Sequence, residues 1–319
     1  MNLSLRRIVP VLLFAVVVLT CFAVGRDVSR TRAALASFDS RAFAAACALA
    51  LGNYLLRFLK WEFYLARLGI RTVPKVESLL IFLSGFVLTV TPGKVGEVFK
   101  SVVLETRQGI ALARTAPIVL AERLTDVAGV VVLIAVGTLD FSGGGLWASL
   151  GAAIVALALV SVSSRRVADA AFSWMERSPA AHAVPKLREA HANLRALVAP
   201  GALVVPSLLS IAAWGLECLA LAVIVRGFGV EVSLTRSTFF YATATLAGAL
   251  VPVPGGLGIT EGMLQEQLVH LGGVEGSVAT VAMILVRLAT LWFAVVVGLV
   301  AYGALRWLPA KPRTDGVTS

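Results

Sequence analysis

Three stretches of this chain, Ile8–Val24, Phe141–Ser164 and Ser237–Thr260, contain no Asp, Glu, Lys or Arg. Crossing the hydrocarbon core of a bilayer takes about 20 predominantly apolar residues in a helix, and each stretch approaches or exceeds that length. A water-facing globule could not absorb them. Only 14% of the 319 residues are charged, against roughly 25% in a soluble domain, and the mean hydropathy is +0.89. The fold class that follows is all-α, a polytopic helical membrane protein.

Six spans are expected: Ile8–Val24, Ala42–Trp61, Ala116–Leu139, Phe141–Val162, Leu203–Val225 and Ser277–Leu305. Arg6-Arg7 ahead of the first resembles a signal peptide. The apolar run is long for one and no convincing A-x-A site follows, so an uncleaved helix is expected. Two further apolar segments are interrupted. Leu79–Leu104 breaks at Thr91-Pro92-Gly93-Lys94-Val95-Gly96-Glu97, and Ser237–Leu271 breaks at Pro252-Val253-Pro254-Gly255-Gly256-Leu257-Gly258. Proline lacks an amide donor and glycine loosens the backbone, so each motif should end one helix and start another. The backbone breaks are thus assigned to Pro92, Gly93, Gly96, Pro254, Gly255, Gly256 and Gly258.

The breaks belong to an internal repeat. Both contain Pro-Gly-x-(Val/Leu)-Gly. Roughly 30 residues later an apolar helix carries Arg123-Leu124 in one case and Arg287-Leu288 in the other; an earlier helix carries Arg57 or Glu217. Paired interrupted segments in two halves point to a transporter-type binding site. Basic residues favour the cytoplasmic side. With the N-terminus there, re-entrant hairpins at both breaks place Arg107 and Arg114, the basic loop Ser164–Pro200, and C-terminal Arg306, Lys311 and Arg313 inside; only Arg26, Arg30, Arg32 and Arg41 conflict. The two repeats are then inverted. The expected organisation is a first helix and loop (1–41), repeat one (42–139, broken at 91–97), a connecting helix and cytoplasmic loop (140–200), repeat two (201–308, broken at 252–258) and a disordered tail (309–319). Within Ser164–Pro200 there is room for one short amphipathic helix.

Ionised side chains at membrane depth cost about 2.5–3.5 kcal/mol or more each and are functional candidates by default. The substrate-binding candidates are Arg57, Lys60, Lys94, Glu97, Glu122, Arg123, Asp126, Glu217, Glu261 and Arg287. Glu122 and Asp126 share a helix face, with Arg123 three residues before Asp126, so a local ion pair is one reading. Arg287 lacks a local partner and could pair with Glu217 or Glu261. Asn53, Arg57, Lys60 and Tyr64 share another face. Snorkelling to the interface, with Trp61 in an aromatic belt, accounts for Lys60; Arg57 lies deeper, where a basic face could line a path for an amphiphile. Helix N-termini at the breaks would suit phosphate or carboxylate groups.

Other chemistries find no support. The net charge of +10 lies between apolar segments and at the C-terminus, which suits anionic headgroups rather than nucleic acid. Cys21, Cys47 and Cys218 sit in apolar runs and His182, His191 and His270 are scattered, so neither redox chemistry nor a metal is expected. Lys94 lacks the surroundings of a nucleotide-binding lysine, and no GxSxG, HExxH or CxxC occurs. The chain is read as a non-enzyme without cofactor.

The motifs Arg57-x-x-Lys60-Trp61, Thr91-Pro92-Gly93-Lys94-Val95-Gly96-Glu97, Glu122-Arg123-x-x-Asp126 and Pro252-x-Pro254-Gly255-Gly256-Leu257-Gly258-x-x-Glu261 resemble those of the lysylphosphatidylglycerol synthase transmembrane-region family, also called UPF0104, over about residues 8–305. The resemblance implies lipid translocation between leaflets of a bacterial inner membrane. The aminoacyl-transferase domain of the synthases would follow such a region; the sequence stops at Ser319, so a stand-alone member without synthase activity is expected. Its substrate would be an anionic, aminoacylated, polyprenyl-linked or hopanoid-type lipid, and an envelope-lipid biosynthetic enzyme is the candidate partner. The alternatives are a secondary transporter of a small anion, a non-transporting membrane scaffold and, last, an intramembrane transferase.

Overall fold

The computed structural model describes residues 28–91, 97–140, 172–177, 184–251 and 253–308, with isolated positions 149, 153, 169 and 182. The expected span Ile8–Val24, all of Phe141–Val162 except positions 149 and 153, the break residues Pro92, Gly93, Gly96 and Pro252, the candidate Lys94 and the C-terminal tail lie outside them.

The described residues form an all-helical bundle. In chain order the helices are α1 (Val28–Ala36), α2 (Ser40–Arg67), α3 (Lys75–Ser84), α4 (Phe99–Gln108), α5 (Leu112–Gly137), α6 (Val184–Leu197), α7 (Pro200–Arg226), α8 (Leu234–Leu250), α9 (Ile259–His270), α10 (Gly276–Arg287) and α11 (Phe293–Leu305). Among the described residues three helices are long and apolar enough to cross a membrane: α2, α7 and the continuous run Gly276–Leu305, in which a π-helical turn at Leu288–Trp292 joins α10 to α11. At 26 residues α5 extends about 39 Å, but it carries Arg114, Glu122, Arg123 and Asp126. Helix α6 is the short amphipathic helix expected in the basic loop; it buries Val184, Leu194 and Leu197 and packs on α5.

The polarity of the bundle is reversed relative to a soluble protein. Leu51, Leu55 and Leu59 are about half exposed along one edge of α2, as are Val296 and Val300 on α11. Meanwhile Lys60, Glu97, Lys100, Glu122, Asp126 and Glu261 are buried. Apolar side chains face outward and charges inward, the pattern a lipid solvent imposes.

Helix α7 is the hub, packing along α2 and α5 and against α8. Asn53 donates to the Ala213 carbonyl and Lys60 to Ser210; rising numbers on α2 meet falling numbers on α7, so the two helices run antiparallel. Close approach needs small residues: a β-carbon at Gly129 on α5 would lie 3.1 Å from the α7 backbone at Ser210 and Ile211. One apolar core gathers α7, α8, α9 and α10, and a second gathers α2, α3, α4, α5 and α11.

Between these cores lie the two interruptions. The first follows α3: a 3-10 turn, Gly85–Leu88, leads to Thr91, and helix resumes at α4. The second separates α8 from α9 and contains a 3-10 turn at Pro254–Gly256. Gly255, Gly256 and Gly258 there have φ of 61°, 67° and 87°, the left-handed region that residues with a β-carbon seldom occupy. Val90 and Leu257, one from each interruption, pack together with Leu291 and Val295. The two interruptions therefore meet in the interior.

Candidate functional site

Charged side chains from both halves converge beside this meeting point. On the first half, Lys60 of α2 contacts Asp126 of α5 at 2.5 Å and Ser210 of α7 at 2.8 Å. Ser210 also donates to the same Asp126 oxygen at 3.0 Å. Arg57, one turn from Lys60, lies 3.5 Å from Glu97 and 3.9 Å from Asp126, with its guanidinium over the Phe86 ring. Arg123 bonds Glu97 and lies 3.6 Å from Asp126. The second half is simpler. Arg287 donates to Glu261 at 2.5 Å and to the Gly255 carbonyl at 2.7 Å, while the second Glu261 oxygen accepts from the Gly258 amide at 2.7 Å. Glu261 thus caps α9 at the end facing the break and anchors Arg287.

Glu97–Arg123 and Glu261–Arg287 are equivalent pairs. In each, the carboxylate just after a break meets an arginine 26 residues later.

The convergence lines a partly open cavity of about 310 Å³. Its wall includes Arg57, Arg123, Asp126, Glu217 and Arg287, together with Thr89 and Thr91 flanking the first break and Val253, Gly255 and Gly256 of the second. At about 30 Å³ per water, the volume corresponds to roughly ten waters. It falls at the small end of ligand sites, enough for a polar headgroup and not for acyl tails. Among the described residues, buried Asp126 Oδ2 and Arg123 Nε have no hydrogen-bond partner.

Several sequence-derived candidates sit differently from expectation. Lys60 does not snorkel: its side chain is 1% exposed, because Asp126 and Ser210 hold it inside. Trp61 does not join an interfacial belt; it is fully buried and donates to Ser78. The local pairing of Arg123 with Asp126 is present, but Glu122 turns away from it to Lys100 on α4, at 2.5 Å. The Lys100 ammonium lies over the rings of Trp61 and Phe82, so this pair braces α4 against α5 away from the cavity wall. Of the two partners open to Arg287, the structure selects Glu261. Glu97, Lys60 and Glu261 stand behind the wall and pair with residues on or beside it.

The sequence reading also missed an aromatic and hydroxyl set around the cavity. The Tyr241 hydroxyl donates to Glu217 at 2.7 Å and lies 3.2 Å from Thr290 Oγ1. Tyr54 donates to the Thr290 carbonyl inside the π-helical turn, a distortion that recurs at functional sites. Trp214, three residues before Glu217, also lines the cavity. The available signal was spacing: Tyr54 and Arg57, and likewise Trp214 and Glu217, are three apart and share a helix face. No group of three or more His, Cys, Asp and Glu side chains among the described residues is placed to hold a metal ion.

The chain matches the family described as lysylphosphatidylglycerol synthase TM region over residues 7–298. It is similar to two proteins of Methanothermobacter thermautotrophicus, each named UPF0104 membrane protein. Identity is 32% over 91 residues with one and 32% over 88 residues with the other, in each case 28% of this chain. The matches span 27% and 26% of those relatives' own lengths.

Proposed function

Because the chain belongs to the lysylphosphatidylglycerol synthase transmembrane-region family, we propose that it carries lipid headgroups across the membrane through its charged interior cavity, without chemical conversion. In this reading the protein resides in a bacterial inner membrane with both termini cytoplasmic. Six helices span, and the two interrupted segments are re-entrant hairpins of inverted repeats, an arrangement suited to alternating access. Arg57, Arg123 and Arg287 meet the anionic part of the headgroup. Asp126, Glu217 and the carboxylates behind the wall set its polarity. The acyl tails stay in the bilayer, where the outward-facing leucines and valines already match them.

One observation carries the proposal: five ionised side chains from both halves share a single cavity wall with residues flanking both interruptions. A scaffold would not need charge at that depth, where each ion is costly. The measurement is leaflet exchange of tail-labelled phospholipids in proteoliposomes. Arg123→Ala and Arg287→Ala should each slow protein-dependent exchange at least tenfold, in preparations shown to be folded by circular dichroism. Exchange at the native rate in both variants would dismiss the cavity as the route.

A further inference from the structure

The charges on the cavity wall are sorted as well as present. On the side formed by α2 and α5, among the described residues, Arg57, Lys60 and Arg123 face Glu97 and Asp126, three cations against two anions. Arg287 and Glu261 balance one another. Glu217 of α7 adds an anion to the same cavity, hydrogen-bonded by Tyr241 of α8, with Trp214 one turn earlier on α7 also in the lining. One end is therefore an arginine pair suited to a phosphate, since guanidinium geometry matches phosphate oxygens. The other is a carboxylate among aromatic side chains, the surroundings that attract an ammonium through both its charge and the rings' negative faces.

The cavity limits the length of the ligand. Both guanidiniums cluster on Asp126, and Glu217 lines the same cavity of about 310 Å³, which is at the small end of ligand sites. A phosphate and one ammonium joined by a short spacer suit that volume; a long aliphatic amine does not.

We infer that the cavity recognises a zwitterionic headgroup, a phosphate joined through a short spacer to a single ammonium, with the phosphate at Arg57 and Arg123 and the ammonium at Glu217 beneath Trp214 and Tyr241. The inference rests on the headgroup-carrying role proposed above and adds its substrate class. Glu217 is then the specificity-determining residue: it separates a zwitterion from a purely anionic lipid of the same size. A headgroup with a second ammonium on a long arm would leave one cation without a counter-charge at the wall, so it should bind less well.

Binding can be measured apart from transport. The purified protein in detergent is titrated with glycerophosphoethanolamine, glycerophosphoglycerol and the lysyl ester of glycerophosphoglycerol, with thermal stabilisation as readout. Glycerophosphoethanolamine should bind at least tenfold more tightly than either of the others. Glu217→Gln keeps the size of the side chain and an acceptor for Tyr241. It should reduce the preference over glycerophosphoglycerol to less than twofold by weakening glycerophosphoethanolamine binding. Trp214→Leu, which keeps the charge and removes the ring, gives a second reading with the same direction and holds if the Gln variant fails to fold. Equal native affinities for the zwitterion and the anion, or tighter binding of the lysyl ester, would overturn the inference. Proteoliposomes then separate the sources of this chemistry. Uptake of free phosphoethanolamine without exchange of tail-labelled phosphatidylethanolamine would overturn the lipid route of the preceding section and leave the headgroup assignment standing.

Discussion

At the residue scale, Asp126 is the carboxylate on which most of the first half depends. One of its oxygens takes hydrogen bonds from Lys60 and Ser210, and the other lies near Arg57 and Arg123. A lysine as buried as Lys60 tolerates burial only with a counter-charge, and removing one member of such a pair strands the other. Asp126→Asn should therefore destabilise by about 3–5 kcal/mol, read as a lower melting temperature in detergent. The double variant Lys60→Met/Asp126→Leu should recover most of the loss, since an apolar pair of similar volume carries no desolvation penalty. An Asp126→Asn variant as stable as the native protein would mean that Lys60 is solvated after all. Individual charges were legible in the sequence because ions are rare in apolar helices. Their partners were not. Glu122 and Asp126 sit on one helix face, yet they bond to different helices, Lys100 on α4 and Lys60 on α2. Helical spacing tells which side chains leave a helix together and is silent about what waits opposite.

At the element scale, the Pro-Gly signature of the second break was a sound guide because its glycines perform a backbone task with few substitutes. Helix α8 stops at Leu250 and α9 begins at Ile259, with Gly255, Gly256 and Gly258 at positive φ between them. A β-carbon at Gly255 would meet only ordinary contacts, the nearest at 3.4 Å from Leu291, so the cost of an alanine there is conformational. Gly255→Ala should lose about 1–2 kcal/mol, the penalty of the left-handed region for an L-residue. Gly215 lies inside α7 with nothing within 4 Å of an added β-carbon. Gly215→Ala should be neutral or stabilising by up to about 1 kcal/mol through helix propensity. The same substitution thus carries opposite signs at the two sites, and paired thermal melts check it; destabilisation of equal size at both would mean that the break is not a fixed conformation. What spacing did not disclose was the π-helical turn after Arg287. Leu288–Trp292 continues an apolar helix with no proline or glycine to mark it. Its consequence, the Thr290 carbonyl met by Tyr54, exists only once α2 is packed alongside.

At the scale of the whole molecule, the arrangement makes one claim that no single contact contains: the interior is wet and the exterior is oily. Thr245 of α8 lines the cavity, whereas Leu59 of α2 is 47% exposed on the outer face among other aliphatic side chains. In a soluble protein a half-exposed residue on the outside would be the more accessible of the two. Here the order should reverse, because a thiol reacts as its thiolate and a thiolate forms only in contact with water. The protein is prepared with Cys21, Cys47 and Cys218 replaced by alanine, then given a single cysteine at Thr245 or at Leu59. In proteoliposomes a charged, membrane-impermeant thiol reagent should label the Thr245→Cys protein at least tenfold faster than the Leu59→Cys protein. Dissolving the bilayer in denaturant should bring the two rates together, showing that neither thiol is intrinsically inert. Comparable rates in the intact bilayer would place bulk water on both faces or on neither. The buried charges would then be structural ion pairs in a dry core, and the reason for assigning them to a translocated headgroup would be gone.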